Sequence, residues 1–443
     1  MKKIKIILVT AIIIGLGFMG FFSFYTGPSS TLNNTPPPFT EDQIKRGEYL
    51  AQAGDCIACH TATDGKKFAG GLGIASPIGM IYSSNITPDK ETGIGSFSLQ
   101  DFDNAIRYGI RHDGMSLYPA MPFPSYARLS DEDLTNLYAY FMHSVEPVTQ
   151  ANKKNGITWP LSMRWPLTAW RLMFAPDVKS FTAASHQDPI VARGAYLVEG
   201  LGHCGTCHTP RSFTLNEKAY SNQESNLFLS GSNAPIDGWM AINLRGDHKD
   251  GLGSFTEEEL VEFLKTGRTD RTAAFGGMTD AIEHSLQYLT DEDLTAIARY
   301  LKTLPALRAN NPPFVYDDSV ATALYNGDTS KVGAQTYVDN CAACHRTTGK
   351  GYPKVFPALA GNPVVQSDNP TSVINIVLKG HTLSGTKAAP TAYTMPTLNW
   401  RLSDQELADV ATFIRTSWGN QGSIVQSNEV AKLRKALPKN GTE

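Results

Sequence analysis

The chain has few cysteines and few charges for its length. Only 6 of its 443 residues are Cys, and charged residues make up 18%. The formal net charge of -3 at pH 7 is close to neutral, so nothing in the composition indicates binding to nucleic acid. The chain has no G-x-S-x-G motif, and no G-x-G-x-x-G motif follows a predicted strand. It therefore shows no signature of a substrate-oxidising site of its own.

All the cysteines fall in three copies of one pattern, C-x-x-C-H. The copies read CIACH at 56–60, CGTCH at 204–208 and CAACH at 341–345. This pattern is the attachment signature of c-type haem, in which both thiols form thioethers and the His supplies an axial nitrogen to the iron. A structural zinc site would need a second Cys or His pair nearby, and a redox dithiol would not need the His. The pattern predicts three covalent c-type haems with iron, held by Cys56, Cys59, Cys204, Cys207, Cys341 and Cys344, with His60, His208 and His345 as axial ligands.

The first 26 residues predict export. Lys2, Lys3 and Lys5 precede an uncharged run at 6–25, which is about long enough to span a bilayer. No clear A-x-A cleavage site follows, which favours an uncleaved anchor with its N-terminus inside, although a cleaved signal peptide stays open. Either way, we expect the body to lie on the periplasmic face of the inner (cytoplasmic) membrane.

The chain also repeats at a spacing of about 140 residues. RGEYL at 46–50 parallels RGAYL at 193–197, each shortly before its haem motif. SDEDL at 130–134, TDEDL at 290–294 and SDQEL at 403–407 follow the three motifs, and each predicts a helix that is capped by its first residue. Three copies of one domain are therefore expected.

This pattern resembles class I cytochrome c, in which a helix precedes C-x-x-C-H and a C-terminal helix closes the fold. The resemblance implies that a glycine on the first helix admits an aromatic residue from the last helix, the pairs being Gly47 with Tyr140, Gly194 with Tyr300, and Gly333 with Phe413. We expect a mainly α fold of three tandem class I cytochrome c-like domains after an N-terminal hydrophobic helix. The predicted segments are anchor 1–26, linker 27–40, domain 41–148, Trp-rich connector 149–189, domain 190–304, connector 305–330, domain 331–420 and tail 421–443.

A methionine before each C-terminal helix is the candidate second axial ligand. Met121, Met278 and Met395 hold similar positions in the repeat frame, and a thioether ligand raises the haem potential. The alternative role is core filler. Met80 and Met115 compete with Met121, and Met240 competes with Met278, whereas no other Met follows His345.

Three further stretches carry a closer resemblance: NITPD at 85–89, YPAMPF at 118–123 and YTMP at 393–396. The chain resembles the tri-haem cytochrome c subunit of membrane-bound bacterial dehydrogenase complexes of the alcohol, gluconate, sorbitol or aldehyde type. The resemblance implies that electrons pass from a catalytic subunit with FAD or PQQ, through three haems, to ubiquinone or an oxidase. A cytochrome subunit of a terminal oxidase and a peroxidase-like multihaem enzyme with one open haem are the alternatives.

Two segments outside the repeats have open roles. The connector at 149–189 holds Trp159, Trp165 and Trp170, and is either a strap packed on the haem domains or a surface for a partner or the membrane. The basic tail at 421–443 is expected to be a solvated end rather than a helix on the membrane surface.

Overall fold

The computed structural model describes residues 2–34, 38–183 and 186–437, which are rich in helix. They fall into two compact units. Unit 1 comprises Met1–Ala183, Tyr196–His203 and Phe213–Asn216, and unit 2 comprises Ala184–Ala195, Cys204–Ser212 and Glu217–Glu443. The first haem motif lies in unit 1, and the second and third motifs lie in unit 2. The predicted boundaries of the three haem domains stay a prediction.

Unit 1 holds the first haem motif, as α3, between two longer helices. Its helices are α1 (Lys2–Phe24), α2 (Glu41–Ala53), α3 (Cys56–His60), α4 (Leu99–Ile106), α5 (Phe123–Tyr126), α6 (Asp131–His143) and α7 (Trp165–Phe174). The antiparallel strands β1 (Gly73–Ser76), β2 (Gly79–Tyr82) and β3 (Gly156–Ile157) form one small sheet in the order β1-β2-β3.

The N-terminal segment forms a helix where the sequence predicts one. Among the residues that the structure describes, however, no helix is both long and apolar enough to cross a membrane. The following linker is not a free spacer, because the backbone N–H of Ser30 donates to Asn104 Oδ1 at 2.7 Å and Ser30 is buried. Residues 35–37 of that linker lie outside the described residues.

Unit 2 repeats this arrangement twice. Its helices are α8 (Pro189–Tyr196, whose last residue belongs to unit 1), α9 (Gly205–His208), α10 (Glu257–Thr266), α11 (Gly277–His284), α12 (Asp291–Thr303), α13 (Ser319–Tyr325), α14 (Ala334–Asn340), α15 (Ala342–His345), α16 (Pro363–Gln366), α17 (Thr371–Lys379), α18 (Asp404–Arg415) and α19 (Ser427–Lys435). A π-helical turn at Leu197–Leu201, in unit 1, continues α8, and a 3₁₀ turn at Leu286–Tyr288 follows α11. Strands β4 (His381–Leu383) and β5 (Tyr393–Met395) form an antiparallel hairpin.

The C-terminal helix of each repeat begins at the predicted capping residue. The side-chain oxygens of Ser130, Thr290 and Ser403 accept hydrogen bonds from the backbone N–H three residues later, at 3.1, 3.2 and 3.2 Å. Such a bond satisfies one of the donors that a helix start leaves unpaired. Acidic side chains in each first turn add favourable interactions with the helix dipole.

The first and last helices of each repeat cross at the predicted glycine. A Cβ atom at Gly47 would lie 1.9 Å from the carbonyl oxygen of Asn136, and one at Gly194 would lie 1.9 Å from that of Ala296. At Gly333 the corresponding distance is 2.2 Å, to Asp409 O. The Cβ atoms of the predicted aromatic partners lie next to the same points, at 2.7 Å for Tyr140, 2.7 Å for Tyr300 and 2.9 Å for Phe413. The glycine–aromatic prediction is confirmed in all three repeats.

The tail is not a solvated end. Helix α19 packs against α18, and Val430 is fully buried. Arg434 Nε donates to Asp404 at 2.7 Å, and its guanidinium also donates to the Leu402 carbonyl oxygen at 2.8 Å. For residues 421–437 the expectation of a solvated end was wrong, because Val430, Leu433 and Leu437 form an apolar face that packs against the core. Residues 438–443 lie outside the described residues.

The Trp-rich connector is packed within unit 1 for part of its length. Trp170, on α7, lies 6.3 Å from the ring of Phe123, and its Nε1 donates to Thr214 O at 2.7 Å. Trp159 is 78% exposed. The structure therefore favours the strap interpretation for Trp170 and leaves Trp159 on the surface.

Candidate haem sites

In each repeat, Nδ1 of the His in the C-x-x-C-H pattern is hydrogen-bonded to a backbone carbonyl oxygen. The Nδ1–O distances are 2.7 Å for His60 and Ser84, 2.8 Å for His208 and Ile242, and 2.9 Å for His345 and Pro357. A carbonyl oxygen only accepts, so Nδ1 carries the proton and Nε2 keeps its lone pair. A second hydrogen bond of this kind orients metal-binding histidines and selects their tautomer.

Burial keeps the three imidazoles neutral. It lowers the pKa of His60, His208 and His345 below the usual value for His, and the hydrogen bond to the carbonyl offsets this only in part. Neutral imidazole is the form that binds iron. All three side chains are therefore prepared, in tautomer and in charge, to bind a metal through Nε2.

The surroundings of the thiols disfavour a reactive dithiol. Burial, the largest cause, raises the pKa of Cys56, Cys204 and Cys341 to about 12 in each case. All six cysteines are free of disulfides. Redox dithiols work through a thiolate with a lowered pKa. The structure thus favours thioether attachment over the redox alternative.

The candidate methionine ligands lie on three different local structures. Met121 precedes α5, and its N–H donates to the Tyr118 carbonyl oxygen at 3.1 Å. Met278 is the second residue of α11, and Met395 ends β5. All three side chains are half-buried, whereas Met115 is 47% exposed and Met80 is 37% exposed. This burial favours Met121 over its two rivals, and the pairing of each Met with an iron stays a prediction.

A buried tyrosine ties the Met121 segment to the first haem motif. The hydroxyl of Tyr126, at the end of α5, donates to the Gly54 carbonyl oxygen at 2.9 Å. Burial raises the pKa of Tyr126 well above its usual value, and the nearby thiols of Cys56 and Cys59 raise it further. The tyrosine therefore lies beside the attachment cysteines. Sequence reasoning missed it, because no spacing rule marks a single Tyr in a loop.

A buried carboxyl group, which no pattern in the sequence predicts, contacts the second haem motif. Glu217 is only 6% exposed, and Thr206 Oγ1 lies 3.4 Å from its Oε1. Burial raises the pKa of Glu217 to about 7. A Cβ at Gly205 would lie 2.6 Å from Glu217 Oε2, so glycine at this position of the motif leaves room for the carboxyl group.

Two buried donor atoms in the described part of the chain are left without a protein acceptor. Within the described residues, Trp165 Nε1 and Arg268 Nη1 have no protein acceptor. Arg268 is 7% exposed, and its guanidinium lies 4.8 Å from the centre of the Tyr393 ring. Haem carries two propionate carboxylates, which accept hydrogen bonds of this kind. Thiols at the attachment spacing and neutral imidazoles together fit a c-type haem.

Comparison with known proteins supports the same cofactor. The family model for cytochrome c matches residues 44–144 and 330–418. The gluconate 2-dehydrogenase cytochrome c subunit of Pantoea cypripedii is 60% identical over 394 residues, which cover 88% of this chain and 89% of that protein. The cytochrome c subunit of the quinone-dependent alcohol dehydrogenase of Gluconacetobacter polyoxogenes is 53% identical, with 88% of this chain and 84% of that protein covered. The fructose dehydrogenase cytochrome subunit of Gluconobacter japonicus is 38% identical, with 90% and 84% covered.

These similarities place the chain in a protein class. It is a c-type cytochrome, with covalently bound haem and iron. More narrowly, it belongs to the family of cytochrome c subunits of quinone-linked dehydrogenase complexes.

Proposed function

We propose that this chain relays electrons one at a time through three c-type haems. Each haem is held by two thioethers and by an axial His/Met pair. The pairs are His60 with Met121, His208 with Met278, and His345 with Met395, in domains at 41–148, 190–304 and 331–420. The observation that carries this proposal is the recurrence, in all three motifs, of a His whose Nδ1 donates to a backbone carbonyl oxygen and whose pKa is lowered.

When bound, the haem iron supplies reversible one-electron oxidation and reduction. The chain's own residues set the conditions for it. Carbonyl oxygens fix the orientation of the three imidazoles. Half-buried methionines offer a soft, neutral thioether that favours the ferrous state. With both axial positions filled by side chains, such a site suits electron transfer rather than chemistry on a bound substrate.

The partners follow from the relatives, whose names are those of gluconate, quinone-dependent alcohol and fructose dehydrogenases. In this proposal the electrons come from a catalytic subunit that holds FAD or PQQ, and the acceptor is ubiquinone, or alternatively an oxidase. The complex lies on the periplasmic face of the inner membrane. Export by the N-terminal segment is the part that the sequence supports most directly, because three lysines precede its uncharged run.

The decisive experiment purifies the chain with its partners from its own membranes. We expect three haems per chain, a low-spin ferric spectrum, and co-purification with a flavin- or PQQ-containing dehydrogenase. High-spin ferric haem or rapid peroxide turnover would instead indicate the peroxidase-like enzyme. Co-purification with a copper–haem oxidase would indicate the terminal-oxidase subunit.

The variant Met121→Leu tests the axial assignment. We expect one of the three haem potentials to fall, because a thioether ligand raises the potential of c-type haem. The matched control is Met115→Leu, at the more exposed rival position. If Met115→Leu lowers that potential and Met121→Leu does not, Met115 is the ligand and the proposed pair is wrong.

A further inference from the structure

The three repeats share a local feature that the haem motifs do not reveal. After the central helix of each repeat comes a glycine with positive φ: Gly109 at 63°, Gly267 at 76° and Gly380 at 66°. The next residue then pairs with a residue further along the chain: Ile110 with Ser116, Arg268 with Ala273, and His381 with the candidate ligand Met395 itself. Ile110, Arg268 and His381 therefore occupy equivalent positions.

The side chains at this position differ in kind. In the first repeat Ile110 is apolar and 4% exposed. In the second and third repeats the equivalent residues are polar, and each contacts the other repeat within unit 2. Arg268 Nη2 donates to the Ala389 carbonyl oxygen at 2.7 Å. His381 Nε2 lies 2.8 Å from Thr279 Oγ1, and Thr279 is 5% exposed.

Both contacts end on segments that carry a candidate axial methionine. Thr279 follows Met278 on α11. His381 lies directly opposite Met395 in the β4–β5 ladder. Apolar packing reinforces the link, because Leu383 of β4 belongs to the same buried cluster as Ile282 of α11, and Met278 packs against that cluster.

We propose that the hydrogen bond between Thr279 and His381 is a positioning contact that joins the Met278 and Met395 segments, so that the second and third haem centres hold their methionines cooperatively. This proposal rests on the ligand assignments under the proposed function. A part-buried hydrogen bond between two segments restrains both of them, so loosening one segment loosens the other. The first repeat has Ile110 at the equivalent position and should be independent.

The test measures how readily added imidazole displaces methionine from ferric haem in the full-length holoprotein. Thr279→Val removes the hydroxyl and keeps the side-chain shape. We expect the affinity for imidazole to rise about three- to tenfold at both the second and the third haem, the range that one lost hydrogen bond represents, and to stay unchanged at the first. In the ferric protein, the paramagnetically shifted proton NMR signals of the three axial Met methyl groups distinguish the haems and disappear as imidazole displaces each Met.

Two further variants separate the bond from local packing. His381→Phe breaks the same bond from the other side and keeps an aromatic ring. In a double-mutant cycle, Thr279→Val with His381→Phe should have no larger effect than either change alone. Thr279→Ser keeps the hydroxyl and should restore the wild-type affinity. An effect confined to the second haem, an additive double variant, or no effect at all would overturn the proposal.

Failure of the ligand assignment is recognised separately. If Met278→Leu or Met395→Leu left all three Met methyl signals in place, the proposed axial pairs would be wrong, whatever the result for Thr279→Val. If one Met methyl signal disappears in each variant as expected, the axial pairs stand. The imidazole affinity of Thr279→Val then tests only the link between the second and third repeats.

Discussion

A methyl group added at Gly194 tests the helix crossing on which each haem repeat is built. A Cβ at this position would lie 1.9 Å from the Ala296 carbonyl oxygen, and Cβ atoms essentially never approach other atoms closer than 3.0 Å. The variant Gly194→Ala therefore forces α8 and α12 apart by roughly 1 Å, since the obstructing atom is backbone and cannot rotate away.

The expected cost comes from two opposing effects. Overpacking costs about 1–3 kcal/mol, and a rigid backbone obstacle places this site at the upper end. Alanine recovers about 1 kcal/mol over glycine inside a helix. We expect Gly194→Ala to lower the free energy of unfolding by about 2 kcal/mol. Gly333→Ala should cost about 1–2 kcal/mol more, because Gly333 also has a φ of 81°, in the left-handed region.

Unfolding in guanidinium measures the loss of stability in both Gly variants. Far-ultraviolet circular dichroism and the Soret band serve as the two probes, since the haem stays attached when the chain unfolds. The matched control is Gly277→Ala, at a helical glycine whose Cβ would meet no atom within 4 Å. If Gly194→Ala unfolded at the same denaturant concentration as Gly277→Ala, the close helix crossing would not contribute to stability and the reasoning would fail.

Two other predictions concern the connector and pH. Trp170→Ala should lower the free energy of unfolding of unit 1 by about 2 kcal/mol, because the change removes the contact with Phe123. Trp159→Ala, at an exposed position, should change that free energy by less than about 0.5 kcal/mol. Thermal unfolding measures both. Burial alone would raise the pKa of Asp247, but hydrogen bonds, including two from backbone N–H groups, lower it below the usual 3.8. The Asp247 carboxylate therefore stabilises the fold fully at pH values above its usual pKa of 3.8. This contribution is lost as the pH falls through the lowered pKa of the folded protein. Asp247→Asn should thus flatten the acid limb of a curve of stability against pH. An unchanged acid limb, or equal effects of the two Trp variants, would contradict these expectations.

Local chemistry was readable from the sequence. A haem attachment motif needs only residues that are adjacent in the chain, and a helix cap needs only residues three positions apart. Ser130, Thr290 and Ser403 were therefore predicted correctly as caps. The glycine–aromatic crossings were also predicted, because the same pairing recurred in three repeats at a similar spacing.

Predictions failed where the outcome depended on contacts between distant segments. The basic tail was expected to be solvated, yet Val430 is buried against the third repeat. The linker was expected to be a spacer, yet Ser30 is bonded to Asn104. A polar or Pro-rich composition does not reveal a short segment with one side chain that fits a neighbouring surface.

The sequence by itself determined the cofactor, the repeat frame and the candidate ligands, because covalent attachment and axial ligation require particular residue types at short spacing. Only the tertiary structure decided the state of those ligands, since the carbonyl that accepts from His208 lies 34 positions away along the chain. It also decided which repeats are in contact, since Thr279 and His381 are 102 positions apart. Burial and hydrogen bonding at such distances arise only when the chain has folded, and no local pattern encodes them.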